Sequence, residues 1–402
     1  MNFSEANQYL EQVQARGIQL GLDRVRALLR ELGNPEITFK SILVSGTNGK
    51  GSTGMYLSSI LQEAGYKVGT YTSPPLYSNT ERILINKEKI PGQEFADLIE
   101  QVKPSAEKHN ATFFETLTAA AYLHFKGKID YAVLEVGMGG RYDATNIVSP
   151  EISVITNIEL DHTQYLGNTI GQIAAEKAEI VHENSVLVSA EQKPKAASVL
   201  KQKCKQTNSH YHQVQDEYPT KTTNFSLREQ IFDAGNHKGL HTSLLDFSQP
   251  LNAAAAISAV EKINGITEQQ IRDGIAKTLW PGRFEIVEDS PLVTLSAAHN
   301  PAGFRELEKS LARIPHKRTL TVLGMCGDKD TVTMQKIAEG FSDEVYKTSF
   351  GHPRSWQGNR DPKFVLTEAV GEANPDDLVC VCGSIFLISQ VRKQWLPEVT
   401  FI

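Results

Sequence analysis

Apolar residues along this chain fall into two patterns, short unbroken runs and longer stretches at helical spacing, and the two alternate. Ile42-Leu43-Val44 is a run of branched residues that reads as a buried parallel strand. Gly46-Thr47-Asn48-Gly49-Lys50-Gly51-Ser52-Thr53 follows, and Met55-Tyr56-Leu57-Ser58-Ser59-Ile60-Leu61 then supplies the apolar face of a helix. Upstream, residues 5–33 read as helices, with Leu20, Leu22, Val25, Leu28 and Leu29 on one face and Gly33-Asn34-Pro35 as the stop. Further strands are expected at 66–72, stopped by Ser73-Pro74-Pro75, at 131–136, closed by Gly137-Met138-Gly139-Gly140, at 152–156 and at 186–188. Helices are expected over 92–109 and 112–126. Strands alternating with helices imply a parallel sheet covered on both faces.

Residues 205–245 are polar and lack long apolar runs; small β-hairpins at the edge of the domain are the expectation there. Asn252-Ala253-Ala254-Ala255-Ala256 opens a helix of small residues, and a second helix covers 267–279. Trp280-Pro281-Gly282-Arg283 reads as a hinge, because the alternation restarts after it. Strands are expected at 292–295, 319–323, 344–346 and 378–382, with helices at 303–313, 333–341 and 385–395. No internal repeat or low-complexity tract interrupts the chain.

At 402 residues the chain exceeds one ordinary core, so two domains are expected. A net charge of −6 argues against a general nucleic-acid binder, without excluding a local basic pocket. Cys204, Cys326, Cys380 and Cys382 form no CxxC pair, which suits a reduced, cytoplasmic protein with buried thiols. No signal peptide and no membrane-spanning run is expected.

The first strand, its glycine-rich turn and the helix after it carry the chemistry. That geometry points backbone N–H groups and a helix N-terminus at a phosphate. Lys50 would reach the outer phosphates, with the Ser52 and Thr53 hydroxyls beside them. The common P-loop expression fails here, because Gly51 follows the lysine and only two residues separate Gly46 from Gly49. The plainer alternative is a tight turn that needs glycine for its backbone angles. Such a turn has no use for a lysine between two glycines, so nucleotide binding is the favoured reading. The fold class is therefore α/β: an N-terminal P-loop parallel-sheet ATPase domain over 1–282 and a smaller C-terminal Rossmann-like α/β domain over 283–402.

SGTNGKGST, TSPPLYSNTERILIN, FFETLTAAAY, EVGMGGRYDATN, NIELDHTQYLGNTIGQIAAEKAEI, WPGRFE and AAHNPAG occur in order over residues 45–303. Together they resemble the folylpolyglutamate synthase and dihydrofolate synthase family, a branch of the Mur ligase superfamily. GLDRVRALLRELGNPE upstream, and HPRSW and GSIFLISQVR downstream, extend the resemblance over nearly the whole chain except 205–245. It implies an ATP-dependent ligase: ATP phosphorylates a carboxylate of a folate or dihydropteroate, and the amine of L-glutamate attacks the acyl phosphate. Such an enzyme must hold a polyphosphate, neutralise a transferring phosphoryl group and exclude water.

The resemblance also implies roles. Thr47, Asn48, Gly49, Lys50, Gly51, Ser52 and Thr53 would bind nucleotide, joined by Asn252 near the adenine, Arg283 near the phosphates and Ser296. Ser73, Glu135 and His162 would be Mg²⁺ ligands. Lys177 matches a carbamylated lysine that helps organise a second Mg²⁺, and His299 lines the active cleft; with Lys50 these are the catalytic candidates. Thr112, Phe114, Asp143 and Ala144 would hold the pterin end.

Each has a plainer alternative. Glu135 could hydrogen-bond at a strand end, His162 in a loop; Lys177 could snorkel, Arg283 could sit in a surface turn and Phe114 could simply pack. Three residues depart from the family pattern. Ser296 replaces an aspartate, Pro75 a histidine and Glu179 a glycine. A different carboxylate acceptor, a nucleotide-binding pseudoenzyme and a plain kinase are the competing readings, and a monomer is expected.

Overall fold

The computed structural model describes residues 1–190, 192–356, 360–399 and 401. The run at Ile42 becomes the centre of a sheet made of β1 (Lys40–Ser45), β2 (Val68–Tyr71), β3 (Ile83–Ile85), β4 (Glu88–Lys89), β5 (Tyr131–Glu135), β6 (Ile152–Ile155), β7 (Val186–Ser189) and β8 (His210–Gln213). Among the described residues the order is β4-β3-β2-β5-β1-β6-β7-β8. β1 lies parallel between β5 and β6, and the parallel pairing runs out to β2 on one side and β8 on the other. The sheet is not parallel throughout, because β3 and β4 form an antiparallel hairpin along the β2 edge.

Side chains alternate across β1, so Leu43 enters one core cluster with Leu134 and Tyr122, while Ile42 and Val44 enter the other with Tyr56 and Val133. Burying each of these three residues is worth about 1.5–3 kcal/mol. The helix after the glycine-rich turn, Lys50–Glu63, is buried from Gly51 to Leu61 rather than along one face. Helices Gln249–Val260 and Glu268–Ala276 cover it. The covering is close: a Cβ on Gly274 would stand 2.5 Å from the Ile60 Cα. Upstream, Val25, Leu28 and Leu29 are buried in helix Asp23–Glu31 as expected, but Leu20 precedes that helix and is 54% exposed.

The polar 205–245 stretch supplies β8 and a separate antiparallel sheet of β9 (Thr220–Phe225), β10 (Gln230–Ala234) and β11 (His237–Thr242). β12 (Arg283–Asp289), β13 (Leu292–Ser296), β14 (Thr319–Leu323), β15 (Glu344–Lys347) and β16 (Leu378–Cys382) then build the last sheet, ordered β12-β13-β16-β14-β15. Its last four members are parallel and β12 is an antiparallel edge. Arg283, expected within a hinge, is the first residue of β12. Helix Pro362–Glu372 and β12 have no counterpart among the expected elements. Among the described residues no helix is long and apolar enough to cross a membrane.

Candidate active site

A cleft of ≈ 730 Å³ opens where the C-terminal edges of the parallel strands face the loops of the last sheet. Such edges are where open α/β sheets bind ligands. Its floor is the glycine-rich turn. Gly46, at φ +146°, lies so close to Thr156 that a Cβ would collide with the threonine hydroxyl, and a Cβ on Gly51 would meet the Trp280 ring at 2.8 Å. Gly49 has φ +82° and packs against Asn252, so the Asn252 amide fills the space a side chain would take. The helix that starts at Lys50 has no side-chain cap, which leaves its first N–H groups facing the cleft. The turn itself is held from behind: Thr47 N–H donates to Asn157 O (2.8 Å), Asn48 N–H to Asn157 Oδ1 (2.8 Å), and the Thr156 hydroxyl to Asn48 O (2.6 Å). Ser52 Oγ accepts from Gln249 (3.3 Å), whereas the Thr53 hydroxyl is buried and has no partner among the described residues.

Two lysines converge on the turn. Lys50 Nζ donates to Gly46 O (3.3 Å) and Thr47 O (3.1 Å), and Lys177 Nζ donates to Gly46 O at 2.6 Å. Lys177 does not snorkel; it is buried in helix Ile170–Ala178 with its ammonium inside the protein. Burial, reinforced by the Lys50 charge, lowers it to about 7, so a large share of the amine is neutral near neutral pH. Lys50 is also lowered by burial, opposed by Glu135 and Asp161.

Glu135 ends β5 with its carboxylate buried in the cleft, where Oε2 accepts the Ser73 N–H at 3.0 Å. Burial raises it above the ordinary carboxylate range against the pull of Lys50, Arg283 and Arg82. A buried carboxylate at a strand end in a cleft offers oxygen ligands of the kind a hard divalent cation takes. His162, at φ +50°, lines the same cleft. Burial and the Lys329 charge hold it near 4, so the imidazole is neutral, the form that ligates a metal. Ser73, Glu135 and His162 therefore fit Mg²⁺ in the chemistry of their donor groups and would be the residues to hold it.

From the last sheet, Arg283 and Ser296 stand opposite each other on β12 and β13, which puts both side chains on one face at the cleft. Arg283 is half-buried and electrostatically coupled to Glu135 and Asp246. His299 is held near 4 by burial and Lys329; its Nδ1 pairs with Ala297 O at 2.9 Å, which leaves Nε2 as the acceptor facing outward.

Thr112, Phe114, Asp143 and Ala144 do not line this cleft. Thr112 caps helix Phe113–Phe125, and Phe114 packs on Tyr71 with ring centroids 5.8 Å apart. Asp143 accepts from Met138 N–H (2.9 Å), Thr145 N–H (3.0 Å) and the Thr145 hydroxyl (2.6 Å). Phe114 and Asp143 sit behind the Gly137–Gly140 turn, where a Cβ on Gly137 would meet both. Arg82, Asp161, Asn300 and Lys329 are absent from the sequence-derived site. Asp161 and Asn300 adjoin the two candidate histidines, and Lys329 follows the C-terminal end of β14; those positions were the available signals.

A glycine-rich turn on one α/β unit thus faces basic and histidine side chains of a second across the cleft. The Mur ligase middle domain matches residues 44–260, and the Mur ligase glutamate ligase domain matches 282–385. The chain is 34% identical to the dihydrofolate synthase/folylpolyglutamate synthase of Bacillus subtilis (strain 168), with 94% of this chain and 95% of that protein aligned. With the Escherichia coli (strain K12) protein of the same name it shares 33% identity over 96% of this chain and 93% of the other. The structure of Mycobacterium tuberculosis folylpolyglutamate synthase complexed with ADP superposes with a TM-score of 0.92 at 27% identity, covering 99% of this chain and 100% of that one. E. coli FolC in complex with DHPP and ADP gives 0.90 at 31% identity, with 98% and 97% covered. This chain belongs to the folylpolyglutamate synthase and dihydrofolate synthase family.

Proposed function

We propose that this protein is an ATP- and Mg²⁺-dependent ligase that joins L-glutamate to the carboxylate of dihydropteroate or of a folate. The observation that carries the reading is the single cleft that gathers the phosphate turn, the Glu135 carboxylate, the depressed Lys177 amine and, from the other side, Arg283 and His299. The relatives named for both synthase activities support it. Residues 1–282 act as the ATP-binding domain and 283–402 as the ligase domain, both from one chain, so a monomer suffices. Four buried free cysteines suit a reducing cytoplasm.

In this reading Thr47–Thr53 grip the polyphosphate through backbone N–H groups and hydroxyls, Lys50 neutralises the outer phosphates, and Asn252 and Ser296 hold the nucleoside end. An acceptor carboxylate oxygen attacks the γ-phosphorus and ADP leaves. The glutamate nitrogen then attacks the acyl carbon, inorganic phosphate departs, and the nitrogen gives up its proton. Arg283 faces the transferring phosphoryl group, and His299 stands at the reacting centre with Nε2 unprotonated. Mg²⁺, held by Ser73, Glu135 and His162 and joined by a second ion at a carbamylated Lys177, would supply positive charge against the polyphosphate. With little covalent work assigned to side chains, positioning and electrostatics dominate. Phe114 and Asp143 shape the acceptor end through the Gly137–Gly140 turn, with Thr112 capping the helix that carries Phe114 and Ala144 following Asp143.

The test is ADP release by purified protein with ATP and Mg²⁺, offered dihydropteroate or tetrahydrofolate, with and without L-glutamate. Sustained release that needs both an acceptor and glutamate is expected. Release that ignores glutamate would make the protein a kinase or an ATPase.

A further inference from the structure

Four polar side chains join the two halves of the cleft, and only Asn48 belongs to the nucleotide turn. Asn300 Nδ2 donates to Asn48 Oδ1 (2.8 Å) and to Asp161 Oδ2 (3.2 Å), while Asn48 Nδ2 donates back to Asn300 Oδ1 (3.1 Å). The same Asn300 oxygen caps helix Pro301–Leu311 by accepting the Gly303 N–H at 2.8 Å. Asp161 Oδ1 meets Lys329 Nζ at 2.6 Å, with the two side chains 10% and 8% exposed, and also accepts the His162 N–H at 2.8 Å. Lys329 Nζ stands 3.4 Å from His162 Nε2. Asn48, Asp161 and His162 come from the first half; Asn300 and Lys329 come from the second.

The division of labour is informative. The backbone of Asn48 is fixed by Asn157 and Thr156 of its own half, whereas its side chain is held by Asn300 of the other. A buried ion pair is a poor source of stability, because desolvation offsets the attraction; its use is to fix one geometry. Here the groups held are the Asn48 side chain and His162.

We propose that Asn300–Asn48 and Lys329–Asp161 form a two-point latch, through which docking of the second half sets the Asn48 side chain on the phosphate turn and His162 in their working positions. Asn300, Asp161 and Lys329 are positioning residues in this account. The latch rests on the nucleotide reading above, and the readout separates the two: wild-type protein that fails to bind ADP would end both, whereas normal wild-type binding with the variant results below decides the latch alone.

ADP affinity would be measured by calorimetry, and compactness of the ADP complex by small-angle scattering. Asp161→Asn and Lys329→Met should each weaken ADP about tenfold and expand the complex, and the double variant should also lose about tenfold, not a hundredfold. Lys329→Arg keeps a cation and should stay near wild type, which guards against misreading a folding defect. Asn300→Ser keeps a helix-capping oxygen but is too short for Asn48, so ADP should bind several-fold more weakly with the melting temperature unchanged. Additive losses in the double variant, or Asn300→Ser binding ADP as the wild type does, would overturn the latch.

Discussion

Glu135 is the residue whose environment says most about its use. Its carboxylate is buried at the end of β5 with a single N–H donor, and burial alone raises its proton affinity. Glu135→Gln should abolish Mg²⁺-dependent turnover while leaving the melting temperature equal or higher, because a buried charge is removed. Retained activity would take Glu135 out of the site. Lys177 carries a pH dependence whose sign can be worked out. The amine sits at about 7 in the folded protein against 10.5 unfolded, so between those values the unfolded chain binds more protons. Stability should rise with pH across that window, and the full penalty applies below it. Carbamate formation needs the neutral amine, so ¹³C-bicarbonate labelling should give a carbamate resonance that grows from about pH 6 to about pH 8 and is missing in Lys177→Ala. A resonance that is absent at every pH would leave Lys177 as a plain hydrogen-bond donor to Gly46. At this scale the sequence was legible wherever a residue sat in a glycine-rich or strand-terminal motif, as Lys50 and Glu135 do. Lys329 and Asn300 were not, because their importance comes from partners more than 150 positions away in one case and 250 in the other.

Among elements, the helix Lys50–Glu63 shows how a site is supported from behind. It is buried on every side from Gly51 to Leu61, so its position is set by how closely helices Gln249–Val260 and Glu268–Ala276 approach. Gly274→Ala would place a methyl 2.5 Å from the Ile60 Cα. The expected cost is about 1–3 kcal/mol, read as a lower denaturation midpoint with an unchanged m-value; an unchanged midpoint would mean that this contact is not rigid. Most of the parallel strands were readable because they are short apolar runs; β8, His210–Gln213, was not, because its sequence is polar and it pairs in parallel at the edge of the sheet. β12 was not: its pairing with β13 carries register shifts between Arg283 and Glu285 and between Ile286 and Glu288, which break the alternation a strand normally shows. β3 and β4 are too short to leave a pattern at all. Within the polar 205–245 stretch the expected hairpins form only over 220–242, where β10 buries every second residue while β9 stays mostly exposed; before them, β8 joins the large sheet in parallel.

For the whole molecule, the cleft draws on both halves of the chain: the first lines it with the glycine-rich turn, Glu135 and Lys177, the second with Arg283, Ser296 and His299. That a sheet-edge site would be built from both halves was legible from the order of the motifs. The placement of Phe114 and Asp143 outside the cleft was not, because their contacts are made behind the Gly137–Gly140 turn and depend on tertiary packing. The central claim is ligation through an acyl phosphate, and the most direct measurement follows oxygen. Dihydropteroate labelled with ¹⁸O in its carboxylate would be incubated with the protein, ATP, Mg²⁺ and L-glutamate, and both products weighed. The account predicts a pterin heavier by one glutamyl residue, with one ¹⁸O delivered to inorganic phosphate for each amide formed. A glutamylated product with no label in phosphate would contradict the mechanism, and unchanged pterin beside unlabelled phosphate would contradict the ligase itself.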